Sequence, residues 1–322
     1  MDSSKESLAI NGNSGAKKIG AGILLSRLAG LLRESLLRSA LGLGPAADAF
    51  TAALRIPNLL QNLLGEGSLS SSFIPVYSKL LSEGKEKEAA NTAGAVASLL
   101  IVFTGVLTLL GIFFAKPIAK ILTPGFTSEK LDLTADLVKI TTAGIGLLVL
   151  AAWCLGVLNS HRKFFLSYVA PVVWNAAQIM ILFIAINENW NPTKTAKAAA
   201  WGLLIGGIAQ LLFQFSGVVK LRTKIRFSFS WKNVHVRDIL KRFTPAILGR
   251  GVIQISGYLD LVLASLLVTG AVAALMSAQV LYILPISLFA MSIAAAELPE
   301  MSRNVERENL HNRLDRGIKQ TS

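Results

Sequence analysis

Residues 140–160 read ITTAGIGLLVLAAWCLGVLNS. After His161-Arg162-Lys163 the chain resumes as FFLSYVAPVVWNAAQIMILFIAIN over 164–187. Neither stretch holds an ionised side chain, and each meets the length of about 20 apolar residues that a helix needs to cross a bilayer core. Two apolar runs joined by a short basic turn read as a pair of membrane-spanning helices. The same reading extends outward. Ala89–Ala115 and Ala198–Val219 are free of charge, and so is Leu261–Ala296, which is too long for one crossing and carries a turn signal at Val268-Thr269-Gly270. It divides into the end of one helix, starting near Phe243, and the whole of the next.

Composition agrees. Hydrophobic residues make up 52% of the 322 and charged residues 16%, against about 25% charged in an ordinary soluble domain. Disordered, collagenous and disulfide-stapled classes are excluded. The single cysteine, Cys154, sits in an apolar run as a small buried residue. Thirty-two Lys and Arg against nineteen Asp and Glu give a net charge of +13, which in a soluble protein would point to nucleic acid. Here the cations lie between greasy segments. With the N-terminus in the cytoplasm, 21 fall in inside segments and 5 in outside loops. That bias places both termini in the cytoplasm and argues against a nucleic-acid partner.

Two N-terminal spans carry charge. The first, about Ile19–Leu41, holds Arg27, Arg33, Glu34 and Arg38. The second, about Ala46–Gly65, holds Asp48 and Arg55, and breaks at Glu66-Gly67-Ser68 before Phe73–Leu81. The expected fold class is an all-α polytopic membrane protein of eight transmembrane helices. An ionised side chain at mid-bilayer costs about 2.5–3.5 kcal/mol on insertion scales, so these residues must face protein or a watery cavity. At about 100° per residue, Arg27, Glu34 and Arg38 share one stripe, while Arg33 stands about 120° away. Asp48, Arg55, Asn62 and Glu66 align within about 40° on an ideal helix, with Pro57 distorting the lower half. The expectation is two polar stripes facing one another across a hydrated cavity, with a surplus of arginine suited to a phosphate. Arg250 and Asp260, ten residues apart, each need a separate partner. Asn175, Gln178, Gln210 and Gln254 read as interhelical hydrogen-bonding residues, and Asp132 and Asp136 as the start of an outside helix.

Catalytic signatures are absent: there is no GxxxxGK[ST], HExxH or GxSxG, no cysteine pair, and three scattered histidines that form no metal cluster. No cofactor and no metal are expected. The residues argue for binding or moving an anion, not transforming it.

Several stretches together resemble the MurJ/MviN family of lipid II flippases. Ser26-Arg27-Leu28-Ala29-Gly30-Leu31-Leu32-Arg33-Glu34 is similar to that family's opening helix, and Ala47-Asp48-Ala49-Phe50, Arg55-Ile56-Pro57-Asn58-Leu59-Leu60 and Gly65-Glu66-Gly67 to its second. Phe73-Ile74-Pro75-Val76, Thr123-Pro124-Gly125-Phe126, Leu158-Asn159-Ser160, Pro245–Gly249 and Glu297–Ser302 follow in order. The likeness covers about residues 17–316. It implies an exporter-type fold of two six-helix lobes around a cationic cavity, with two further helices forming a groove for a lipid tail. This chain would hold the first lobe and two helices of the second. The segments are then a disordered 1–15, a first lobe 16–225, an amphipathic connector 226–242 lying on the inner membrane surface, two second-lobe helices 243–300 and a cytoplasmic tail 301–322.

The resemblance implies movement of an undecaprenyl-pyrophosphate-linked peptidoglycan precursor by alternating access across the bacterial cytoplasmic membrane. It implies that Arg27 and Arg33 hold the pyrophosphate, that Asp48 and Glu66 pair with arginines, and that Arg55 keeps a family charge beside Asn58. Gln61 stands where the family has an arginine, with Arg250 or Arg55 as the candidate to supply that charge; Asp260 joins Arg250 among the candidate substrate-binding residues. The partners implied are the lipid-linked glycan, membrane lipid and other cell-wall synthesis proteins. Runner-up readings are a flippase for another polyprenyl-pyrophosphate glycan, an antiporter of the same fold, and a lipid-binding membrane scaffold that moves nothing.

Overall fold

The computed structural model describes residue 22, residues 24–221 and 233–282, and residues 223, 225 and 228 between them; of Glu66, Val252 and Ile253 it describes the backbone. The expectations for residues 1–15, most of the connector, the far half of the eighth helix and the tail 301–322 lie outside the described residues. Those described form helices and turns and contain no strand.

The first helix, α1, covers 24–41. It is followed by α2 (Pro45–Ala53), α3 (Arg55–Leu64), α4 (Glu66–Ser82), α5 (Glu86–Phe113), α6 (Ala115–Leu122), α7 (Ser128–Ala143), α8 (Ile145–Ser160), α9 (Phe164–Asn187), α10 (Pro192–Lys220) and α11 (Val234–Ser265). The last described helix is α12 (Ala271–Tyr282). Five stretches are long and apolar enough to cross a membrane: α5, α7 with α8, α9, α10 and α11. With α1, the α2–α4 run and the described start of α12, the helices among the described residues are roughly consistent with the eight expected crossings.

The breaks have local causes. Pro57 lacks the N–H that would donate to the carbonyl of Ala53 four residues back. The helix parts at Leu54, and the hydroxyl of Thr141 donates to the Ala53 oxygen at 3.2 Å. The second break falls at Gly65, where the Gly-Glu-Gly-Ser sequence places it. At α10, Pro192 occupies the first turn and the side chain of Asn191 accepts from Lys194 N–H at 2.8 Å. Asn233 caps α11 in the same way through His235 N–H.

The chain divides into two compact units, residues 1–272 and 273–322. In the first, the core lies between α4, α5 and α8 and includes Phe73, Tyr77, Leu100, Trp153 and Val157, with Val236 and Ile239 of α11. Phe73 stacks on Tyr77 at 5.0 Å, and the Trp153 indole donates to the Ala93 carbonyl at 3.1 Å. Large apolar side chains of α5, α9 and α10 such as Phe103, Met180, Phe183, Trp201 and Leu212 point outward, as a lipid-facing surface requires. The described part of the second unit is the continuation of α12, where Ser277 bonds back to the Ala273 carbonyl.

Contacts sort the turns of the first unit into two ends. At one end Gly270 meets Asp48 and Leu43, and Gly125 meets Ser265. At the other, Tyr77 meets His161, and Glu88 meets His235.

Candidate functional site

The polar face of α1 begins as the spacing predicts. Arg38 donates to Glu34 Oε1 through Nε at 2.9 Å and through Nη2 at 2.6 Å, one turn apart on the helix. Arg33 reaches the other oxygen of the same carboxylate at 3.4 Å. Glu34 is therefore shared by two guanidinium groups. Arg27 lies exposed on the same helix. Arg33 takes the direction that the helical wheel left apart: its guanidinium carbon lies 5.1 Å from the ring centre of Trp174 on α9.

Asp48 goes elsewhere. It is 1% exposed, and its Oδ2 receives Lys130 Nζ at 2.6 Å and the backbone N–H of Gly270 at 2.8 Å. Lys130, 8% exposed, also lies 4.0 Å from the ring centre of Phe126. Three segments far apart in sequence meet at this carboxylate: the first turn of α2, the start of α7 and the turn after α11. The position of Asp48 in the first turn of α2 adds the favourable field of the helix N-terminus.

Arg55 and Arg250 meet the same seam from opposite sides. The Arg55 guanidinium, on α3, donates to the carbonyl of Gly257 on α11, and Tyr258 Oη approaches the Arg55 carbonyl at 3.5 Å. The Arg250 guanidinium, on α11, lies against the Cα of Gly67 on α4, in the space a Cβ would fill. Residues 250 and 257 fall within about 20° on a helix, so one face of α11 offers a guanidinium and receives another.

The eight predicted residues thus fall in separate places. Arg27 and Arg33 stand on α1, with Arg33 against α9. Asp48 closes one end of the unit. Arg55 and Arg250 meet across the α3–α4 and α11 seam. Asn58 is exposed on α3 and Asp260 half-exposed on α11. The side chain of Glu66 lies outside the described residues. A straight second helix would have lined up Asp48, Arg55, Asn62 and Glu66. The breaks at Leu54 and Gly65 dissolve that stripe, and the cation that stands against Asp48 is Lys130. Sequence reasoning missed Lys130, counted among outside-loop cations, and Trp174; the pairing of Glu34 with Arg38 follows from their spacing. Among the described residues, no three His, Cys, Asp or Glu side chains gather as a metal site.

With this arrangement in view, comparison with known proteins decides the family. The profile described as "Lipid II flippase MurJ" matches residues 37–322. The chain belongs to the MurJ family. It is 32% identical over 283 residues to a probable lipid II flippase MurJ of Buchnera aphidicola, covering 87% of this chain and 55% of that protein. It is 33% identical over 309 residues to one of Rhizobium tropici, covering 92% and 57%, and 35% identical over 286 residues to one of Bdellovibrio bacteriovorus, covering 88% and 54%. The chain spans about half the length of the curated relatives it matches. Among solved structures, a lipid II flippase MurJ in an inward closed conformation superposes with a TM-score of 0.77 at 28% identity, over 94% of this chain and 62% of that one. An inward-facing multidrug-resistance MATE transporter of the MOP superfamily superposes at 0.73 with 20% identity, over 94% and 70%, a likeness of fold. The protein is a multi-pass membrane protein of a transporter family.

Proposed function

We propose that this chain supplies the anion-handling half of a flippase that moves a lipid-linked diphosphate glycan, of the lipid II type, across the bacterial cytoplasmic membrane by alternating access. The observation that carries the reading is the charge on α1. Arg33 has its Nε buried without a hydrogen-bond partner, and the carboxylate beside it, Glu34, stands at 3.4 Å and already holds Arg38 by two hydrogen bonds. Asp48, one of the two acids expected to pair with arginines, is engaged by Lys130. A buried guanidinium left short of partners in a membrane helix is costly unless an anion spends time beside it. Arginine's fork, charged at any physiological pH, matches the oxygens of a diphosphate.

The closed end fits the same reading. With the termini cytoplasmic, the contacts of Asp48 with Lys130 and Gly270, and of Gly125 with Ser265, lie on the outer side. They hold α2, α7 and the end of α11 together there. Outward release then requires the Asp48 cluster to part.

Expression in a strain depleted of its own lipid II flippase tests the proposal. The wild-type chain, with the partner segment it needs if one is required, restores growth, and Arg27→Ala or Arg33→Ala abolishes it. Growth with both arginines replaced by alanine would refute the role given to α1.

A further inference from the structure

Arg33 is the arginine whose direction the helical wheel did not explain, and the structure supplies the reason. Trp174 is fixed from two sides. Its indole N–H donates to the Leu203 carbonyl of α10 at 3.3 Å. Its edge packs where α10 has Gly206: a Cβ there would lie 2.8 Å from the Trp174 carbonyl oxygen and 2.9 Å from its Cδ1, closer than real side chains approach. The ring cannot swing toward α10, so the face turned to α1 is set by α9 and α10 together. Arg33 lies over that face at 5.1 Å, within the range of a cation–π contact. Its Nε is buried without a hydrogen-bond partner, and the carboxylate nearest to it is shared with Arg38 and stands at the long distance of 3.4 Å.

We propose that Trp174 is a positioning residue for the anion site, holding Arg33 flat by its face so that the in-plane N–H edge stays free to take a diphosphate. The two interactions do not compete. A ring engages the face of the guanidinium plane, and phosphate oxygens approach in the plane, along the Nε and Nη directions. The unpartnered Nε lies on that edge. Stacking also fixes the guanidinium rotation without neutralising it, which a second carboxylate would not do. This rests on the reading of α1 as the diphosphate-binding helix and extends it to α9 and α10.

The test uses the full chain in lipid nanodiscs and undecaprenyl diphosphate as the probe, with binding measured for wild type, Arg33→Ala, Trp174→Leu, Trp174→Phe and the Arg33→Ala/Trp174→Leu double variant. Without the ring the Arg33 guanidinium loses its fixed orientation, so Trp174→Leu weakens binding about tenfold, the ratio that 1.4 kcal/mol gives. Trp174→Phe, which keeps the packing and a weaker π face, weakens it about threefold. The double variant binds no worse than Arg33→Ala alone. If Trp174→Leu does not fold, the Phe variant alone and combined with Arg33→Ala decides by the same criterion. Wild-type binding by the Trp174 variants while Arg33→Ala binds poorly would overturn the inference and leave the α1 reading standing, as would a Trp174 loss that persists in full without Arg33. Unchanged binding by Arg33→Ala would overturn both.

Discussion

Lys130 Nζ lies 2.6 Å from Asp48 Oδ2, with both side chains withdrawn from solvent. The pair joins α7 to α2 across 82 residues of chain. Removing one member of a buried pair strands the other charge, at about 3–5 kcal/mol. Lys130→Ala is therefore expected to destabilise the protein by that amount in a detergent unfolding assay, and Lys130→Ala combined with Asp48→Asn to recover most of it. Equal loss in the single and double variants would show that the ion pair is not what holds this end together.

Gly270 donates its N–H to the same carboxylate with φ of +96°, a conformation that L side chains rarely adopt. A Cβ there would also overlap the Leu43 carbonyl. Gly270→Ala is expected to loosen the closed end, raising the labelling rate of a cysteine introduced at Ser265 by a membrane-impermeant reagent in a Cys154→Ala background. Unchanged labelling would mean that the turn is not part of the closure.

The Thr141 hydroxyl serves a carbonyl that Pro57 leaves without its helical donor. Leaving that oxygen unsatisfied costs about 1–3 kcal/mol, so Thr141→Val destabilises by that range. Pro57→Ala restores the backbone donor to Ala53, and in that background Thr141→Val becomes close to neutral. A full cost in both backgrounds would contradict the assignment.

His161 lies in the turn between α8 and α9, with Nε2 3.1 Å from the hydroxyl of buried Tyr77. Burial lowers its pKa, Glu86 opposes the shift and Lys163 adds to it. The folded state therefore binds a proton less readily than the unfolded chain, whose histidine titrates near pH 6.5 (about the ordinary value). Stability is full above that pH and falls as acidification protonates the unfolded chain first, until the folded form titrates as well. The melting temperature is expected to drop as pH falls through about 6.5, with a smaller drop in His161→Gln. Identical pH profiles would exclude this histidine as the source.

The apolar spans, the Gly65 break and the distortion at Pro57 were legible because each depends on a local signal: length without charge, a glycine pair, a missing N–H. The α7 segment was not. Asp132 and Asp136 read as an outside helix start and Lys130 as an outside-loop cation, which sets the apolar span at Ile140, whereas the helix enters at Ser128. A charge count cannot see that Lys130 is matched by Asp48 from another helix. The same limit hid Trp174. Spacing gives the angle at which Arg33 leaves α1, but which ring waits at that angle is a property of how α9 sits on α10. Asn175, read as a bond between helices, instead donates to the Pro171 carbonyl of its own helix at 3.0 Å.

The claim that α1 presents arginine to a diphosphate is tested most directly by titrating the chain in nanodiscs with undecaprenyl diphosphate, undecaprenyl monophosphate and uncharged undecaprenol. Binding is expected to favour the diphosphate over the alcohol by at least about tenfold, the ratio that 1.4 kcal/mol gives, and to lose that preference when Arg27 and Arg33 are both replaced by alanine. Equal binding of all three lipids, or a preference that survives the double replacement, would contradict it.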